Sequence, residues 1–190
     1  MKLLCVEHGA TDWGFAVLGD NALSRNNDDF YVPPFAGRLS CVPQLVFRIG
    51  RMGKGVEARF ASRYAGEIGV GIRFYADDLL EDALAAGLPT SPATGFDHAA
   101  AVSVTRPLAG GFPVSARYAF EVNGVEVFRG SAADLFPPVD RALSRVSAFC
   151  LLKVGDLLFC GNRFRYDGLR VGDHLRVSLD DAVLLDFSVR

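Results

Sequence analysis

The sequence has no run of basic residues, no cysteines at knuckle spacing, no histidines at ligand spacing and no long apolar segment. Each absence removes a class of function. Its 20 Lys and Arg are scattered among 22 Asp and Glu, for a net charge of −2, so the basic stripe that grips a phosphate backbone is missing and nucleic acid is not an expected partner. Cys5, Cys41, Cys150 and Cys160 include no two-residue spacing of a zinc knuckle or redox pair. Their apolar neighbours suggest inert buried thiols, with a reactive thiol as the open alternative. His8, His98 and His174 have no metal-ligand spacing, and Asp97 beside His98 points away from it in an extended chain, so no acid–base pair is evident. Leu3 to Val6 is interrupted by Glu7 and His8, far short of a signal core or a membrane span. A cytoplasmic protein with no membrane partner is the expectation.

What is present suits one globular domain. Half of the 190 residues are hydrophobic and 15 are Phe, enough apolar material for a sizeable interior. Residues 2–6 read as a short strand, and 7–29 as polar and irregular. The Asn and Asp of 26–29 favour turns, because their side chains bond the local backbone, though they can equally line a pocket. Pro33-Pro34 then stops any regular element.

The centre of the chain runs from Cys41 to Leu79. Pro43 cannot donate to a ladder, which predicts a strand proper over Gln44–Ile49 with Pro43 at an edge or before the pairing begins. Alternation puts Val42, Gln44, Val46 and Arg48 on one face. Arg48 either snorkels to solvent or faces a ligand. Glu57–Tyr64 has helical composition. Ile68–Phe74 reads as a strand in which Gly69 and Gly71 mark close backbone approach, and Asp77 and Asp78 open a helix over Leu79–Ala86. The pairs Asp77/Glu81 and Asp78/Asp82 fit a solvated helix start, or a hard cation.

Downstream, Arg117–Val122 and Val125–Phe128 flank Asn123-Gly124, the favoured pair for a two-residue hairpin turn. Ser131 with Asp134 suits a capping box, and Pro138 the first turn of a helix to about Ser147. Leu157–Cys160 reads as a short buried strand. Strands at His174–Leu179 and Ala182–Val189 are joined by Asp180-Asp181.

In this order, the segments FEVNGVEVFRGSAADLF, SAFCLLKVGDLLFCGN and LRVGDHLRVSLDDAVLLDFSV, with LVFRIGRMGKGV and YAGEIGVGIRFYADDL before them, resemble the fumarylacetoacetate hydrolase family. That family includes acylpyruvate hydrolases, oxaloacetate decarboxylases and hydroxyhepta-dienedioate isomerases. The likeness runs from about Phe30 to the C-terminus. It implies an α+β, mostly β fold: a mixed β-sandwich or β-roll of the family's C-terminal-domain type, with short peripheral helices. The chain then reads as a single domain over 1–190, with a divergent strand and loop region at 1–38 and the core at 39–190. The family is often dimeric, so a homodimer is expected.

The family holds Mg²⁺ or Mn²⁺ with two glutamates and an aspartate, since a hard cation wants anionic oxygens. By resemblance these positions fall at Val42, Gln44 and Arg73, and no carboxylate lies between Leu39 and Val56. The family's pocket lysine falls at Thr94, and the threonine of its Gly-Thr-Pro at Asn162. No cofactor is therefore expected. One reading is a relative that has lost metal-dependent catalysis and binds a small organic keto- or diacid through Gln44, Arg48, Arg73 and Asn162. Arg73 and Arg48 would then supply two guanidiniums, paired to that acid or to an internal one such as Asp77 or Asp97. A second reading keeps the family's hydrolase, isomerase or decarboxylase activity, with Mg²⁺ or Mn²⁺ on rearranged ligands such as Asp12, Asp28 or Asp77. A third is a purely structural or oligomer-forming subunit.

Overall fold

The computed structural model describes residues 1–25, 27–108 and 110–190. Two sheets face each other across the main core. The larger begins with β1 (Lys2–His8), β2 (Trp13–Gly19) and β3 (Leu23–Ser24), and continues with β4 (Leu39–Ile49), β5 (Ala65–Ala76), β6 (Ala100–Val102) and β7 (Arg106–Pro107). The smaller contains β8 (Arg117–Val122) and β9 (Val125–Ser131). The chain then returns to the large sheet with β10 (Leu157–Cys160) and β11 (Tyr166–Asp167), and to the small one with β12 (His174–Leu179) and β13 (Ala182–Ser188). Helices α1 (Asp77–Ala85), α2 (Ser91–Thr94) and α3 (Val139–Phe149) lie at the periphery, giving a mostly β fold with short helices. Among the described residues no helix is long and apolar enough to cross a membrane.

The spatial order of the large sheet is β2-β1-β10-β4-β5-β6-β3, with β11 on β4 and β7 on β5; that of the small sheet is β13-β12-β8-β9. Period-two alternation divides the large sheet's residues between two cores. Leu4, Val6, Leu45, Phe47, Ile72, Phe74 and Leu158 pack with Phe120, Val177 and Phe187 of the small sheet. Leu3, Cys5, Val46, Leu157 and Phe159 point the other way, into a smaller cluster closed by Leu18, Leu23 and Val102. In the first core the Phe30 and Phe74 rings stack with centroids 3.8 Å apart.

Turn chemistry explains the hairpins. Asn123 and Gly124 have φ of 53° and 78°, the left-handed pair that a twisted two-residue hairpin demands, and Asp180 and Asp181 repeat it at 50° and 65°. Ser131 and Asp134 form the expected capping box.

Several expectations need correction. The 7–29 region contains β2, an edge strand paired along its length with β1. Asn26 lies outside the described residues; within the rest of that segment, Asp28 N–H turns back to the Arg25 carbonyl at 3.2 Å. Glu57–Tyr64 is a 3₁₀ helix over Ala58–Arg63 rather than an α-helix. Pro43 lies inside β4, opposite Ile72 of β5. It is tolerated there because β10 pairs only with 45–48 of β4 and β11 only with 40–41. Residues 42–44 therefore have no ladder partner among the described residues on that side, so a missing N–H costs no bond there. Gly71 is required for packing: a Cβ would meet Phe159 at 2.6 Å and the Ala101 carbonyl at 2.8 Å.

Candidate functional site

The gap beside 42–44 is where polar groups collect. Val42 and Gln44 share the face of β4 that builds the smaller core, and Val42 pairs directly with Arg73 of β5. By the same alternation, β5 presents Arg73 and Tyr75 on that face and β1 presents Cys5 and Glu7. Two residues beyond Val46 the apolar cluster thus ends in an amide, a guanidinium, a phenol and a carboxylate.

Arg73 is fully buried. Its Nη1 donates to Glu7 Oε1 at 3.1 Å and its Nη2 to the Thr94 carbonyl, at the end of α2, at 2.8 Å. Tyr75 donates its hydroxyl to the other Glu7 oxygen at 2.9 Å, and its ring lies 5.2 Å from the Arg73 guanidinium. Burial pushes the Tyr75 hydroxyl above its ordinary range; Arg73 opposes this and Glu7 reinforces it, so the phenol stays a proton donor. Arg73 thus has an internal acid, as a buried cation must, but the acid is Glu7 rather than Asp77 or Asp97. Asp97 accepts from the Asn21 amide at 2.6 Å instead.

A cavity of about 100 Å³ opens in front of this pair, bordered by Glu7, His8, Gln44, Tyr75, Asn162 and Arg165. Gln44 is almost wholly buried; its Nε2 reaches the Val6 carbonyl only at 3.5 Å and its Oε1, shut off from solvent, has no hydrogen-bond partner among the described residues. Asn162 uses its Oδ1 to accept from Phe164 N–H at 2.8 Å, which leaves its Nδ2 to donate elsewhere. Arg165 packs its guanidinium 4.6 Å from the Tyr75 ring and pairs with Asp77, which also accepts from Ser40 Oγ at 2.8 Å. Arg165 also borders a larger open cleft of about 680 Å³ that includes Arg38 and Arg170.

Of the four residues expected to bind a ligand, Gln44 and Asn162 border the cavity, and Arg73 lies behind it as half of an ion pair. Arg48 does not belong there. It shares the β4 face with Gln44 but lies four residues along, about 13 Å for an extended chain. There it is solvent-exposed and bonds Glu67, its cross-strand neighbour, at 3.3 Å. Alternation fixes the face of a strand and says nothing of distance along it. The second guanidinium at the site is Arg165. Tyr75 lies on the strand where the sequence placed a site; Glu7 and Arg165 were not expected from sequence. The only local signal was the Arg163-Phe164-Arg165 cluster following Asn162.

Among the described residues no three His, Cys, Asp or Glu side chains converge as a metal-binding group. The rearranged set is dispersed: Asp12 accepts from its neighbour Trp13 N–H at 2.8 Å, Asp28 lies in another cavity with His98, and Asp77 is engaged by Arg165 and Ser40. At the start of α1, Asp78 accepts from Gly37 N–H at 2.8 Å and Glu81 pairs with Arg38, so these acids have protein partners.

The fumarylacetoacetate (FAA) hydrolase C-terminal family matches residues 9–190. The chain belongs to the fumarylacetoacetate hydrolase family. The match begins well before Phe30. A curated relative, oxaloacetate tautomerase YcgM of Escherichia coli K12, is 24% identical over 163 residues, covering 85% of this chain and 74% of the relative. Among solved structures, fumarylpyruvate hydrolase from Pseudomonas aeruginosa, in complex with Mn²⁺ and pyruvate, superimposes with a TM-score of 0.90 at 21% identity, over 100% of this chain and 89% of that one. The 5-carboxymethyl-2-hydroxymuconate delta-isomerase from Mycobacterium smegmatis gives 0.86 at 21%, over 99% and 76%. These likenesses establish the family's C-terminal-domain fold for the whole chain.

The four cysteines are free. Cys5, Cys41 and Cys160 are buried and Cys150 is half-buried. Burial pushes the Cys5 thiol up to about 11 against the pull of Arg73, and raises Cys41 and Cys160 further. Ellman's reagent at pH 8 should therefore titrate one thiol, Cys150, in the native protein and all four after denaturation. Fast native labelling of Cys5 would contradict the packing around Arg73.

Proposed function

We propose that this family member binds a small organic acid, a 2-oxo acid or short dicarboxylate, in the cavity beside Gln44, without a divalent metal. One observation carries the reading: the Arg165 guanidinium and the Asn162 amide, whose Oδ1 alone is taken up by Phe164 N–H, border one small cavity together with Gln44. Arg165 can grip a carboxylate, and Asn162 Nδ2 can donate to its second oxygen. The volume suits about three waters or one small carboxylate.

The family's metal does not fit the residues present. Its three ligand positions, carried over by resemblance, hold an aliphatic side chain, a neutral amide and a guanidinium, and a hard cation requires anionic oxygens. Among the described residues Glu7 is the one carboxylate paired with Arg73, and that pairing already engages it. The fixed positive charge of Arg73 stands where the ion's charge would, so no step is routed through a metal. The printed activities of the relatives, on oxaloacetate and fumarylpyruvate, favour 2-oxo acids as the ligand class.

Calorimetric titration of the EDTA-treated protein with pyruvate and with oxalate should give binding, and Arg165→Ala should weaken it by about tenfold to a hundredfold, the worth of a charge-assisted hydrogen bond. Absence of binding to the wild-type protein, or affinity that rises only when Mg²⁺ or Mn²⁺ is restored, overturns the reading.

A further inference from the structure

The basic residues are dispersed in sequence, yet the fold gathers several of them onto one face. An antiparallel bridge between Gly53 and Leu152 joins the loop after β4 to the loop before β10, through N–H to carbonyl bonds of 3.2 and 2.8 Å. Leu152 is buried at that bridge, so its neighbours Leu151 and Lys153 turn outward beside Met52 and Lys54. The first loop continues along α3, where Gly55 N–H donates to the Ser147 carbonyl at 2.9 Å and Val56 N–H to Ser147 Oγ at 2.8 Å. On the outer side of that helix Arg141, Arg145 and Phe149 follow one another at four-residue spacing, and all three are exposed. The Arg145 guanidinium lies 4.6 Å over the Trp13 ring and the Phe149 ring 5.8 Å from that of Phe15, which carries the face onto β2.

Two properties set this face apart. First, its cations are unopposed. Residues 51–56 and 141–154 contain no acid, and Arg51, Lys54, Arg141, Arg145 and Lys153 have no salt-bridge partner among the described residues. The next acid along, Glu57, is taken up by Arg59 at 3.0 Å. Elsewhere surface arginines are matched, as in Arg38 with Glu81, Arg48 with Glu67 and Arg190 with Asp29. Uncompensated positive charge is thus concentrated on one side of a chain whose net charge is −2. Second, large apolar side chains stand among these cations: Met52 is 64%, Phe149 70% and Val154 68% exposed, with Leu151 beside them. Apolar groups clustered in this way on a soluble surface mark a place of contact.

We propose that this face is a peripheral docking surface for an anionic lipid bilayer. Lys and Arg at headgroup depth answer the lipid phosphates and carboxylates, while the apolar side chains of the loop tips and of the end of α3 reach the acyl boundary. A nucleic acid would engage the cations and leave Met52, Leu151 and Val154 in water. A second copy docked about a two-fold axis would set the same cations against themselves. A bilayer rewards both components at once. The contact needs no membrane-spanning segment, and it is independent of acid binding beside Gln44.

The test is co-sedimentation of the full chain with vesicles of phosphatidylcholine, with and without about 30% phosphatidylserine, in ~0.1 M salt. The wild type should pellet with the mixed vesicles and stay in solution with phosphatidylcholine alone. Emission of Trp13, the one tryptophan of the chain, should shift to the blue on binding. Lys54→Ala with Lys153→Ala should weaken binding about twentyfold, whereas Lys54→Arg with Lys153→Arg should keep it. Phe149→Ser should weaken it by about tenfold. These side chains are exposed, so the melting temperatures should match that of the wild type. No binding to the mixed vesicles, equal binding to both kinds, or binding indifferent to Phe149→Ser overturns the proposal. So does tighter binding to a soluble polyanion, a DNA duplex or polyglutamate, which would assign the face to a nucleic acid or an acidic protein. A dimer that Phe149→Glu dissociates, with no vesicle binding by the wild type, would assign it to a second copy.

Discussion

Arg73→Ala should be the most destabilising single substitution at the site, costing about 3–5 kcal/mol. The wild-type side chain is fully buried, so its removal opens a void against β5, orphans the Thr94 carbonyl and leaves Glu7 without its cation. Glu7 retains partial exposure, which lets solvent take up some of that last cost and favours the lower half of the range. In a chain of this length the melting temperature should fall by on the order of 10 °C, read by circular dichroism. Arg73→Met refills most of the volume, so the difference between it and alanine isolates the cavity. Pairing Arg73→Met with Glu7→Gln removes both charges, and should recover much of the loss, because a buried ion pair often contributes little net stability over neutral groups of similar volume. A double variant no better than Arg73→Met would mean that the ion pair itself supplies substantial stability, and the case for its retention on functional grounds would weaken.

The second large effect lies away from the site. Asp156 is fully buried at the turn before β10, where its carboxylate accepts from Lys2 N–H at 3.0 Å, from Lys153 N–H at 2.8 Å and from the Lys2 ammonium. It ties the first residue of β1 to the strand that β1 joins in parallel. Asp156→Ala strands two backbone donors and leaves the Lys2 ammonium only the Leu151 carbonyl, and should cost about 3 kcal/mol. Asp156→Asn keeps one acceptor oxygen and should fall between alanine and wild type in urea denaturation. Amide exchange at Leu3 and Leu4 should accelerate more in the alanine variant than exchange in β12. A uniform acceleration would mean that Asp156 supports the whole fold rather than this seam.

The second half of the chain was more legible than the first for a physical reason. Asn123-Gly124 and Asp180-Asp181 adopt left-handed turns that few residue types tolerate, so sequence and register coincide there. The β2 strand carries no comparable mark. It is an edge strand with most residues half-exposed, and its apolar alternation is weak. Pro43 misled because a proline reports on one residue's N–H, whereas the ladder gap that admits it depends on where β10 and β11 end.

The site was legible in kind more than in membership. That Arg73 would be buried and paired follows from its place in an apolar strand. That Glu7 is the partner depends on a chain of pairings, β1 to β10 to β4 to β5, which joins residues 66 apart and has no local signature. Arg165 enters from an irregular segment between β10 and β11, where composition gives no orientation. Arg48 had the right face and the wrong distance.

The unladdered stretch of β4 has a consequence for how such a domain can change over generations. Side chains at 42 and 44 stand beside a break in the hydrogen-bonded mesh, and a proline already sits between them. Chemistry at those two positions is therefore insulated from architecture. An acid can be exchanged for an amide or an aliphatic group there without unpicking a strand, provided that its partner across on β5 changes in step. A scaffold with that property can be emptied of one reaction and refitted for another while its strand pairing is left alone.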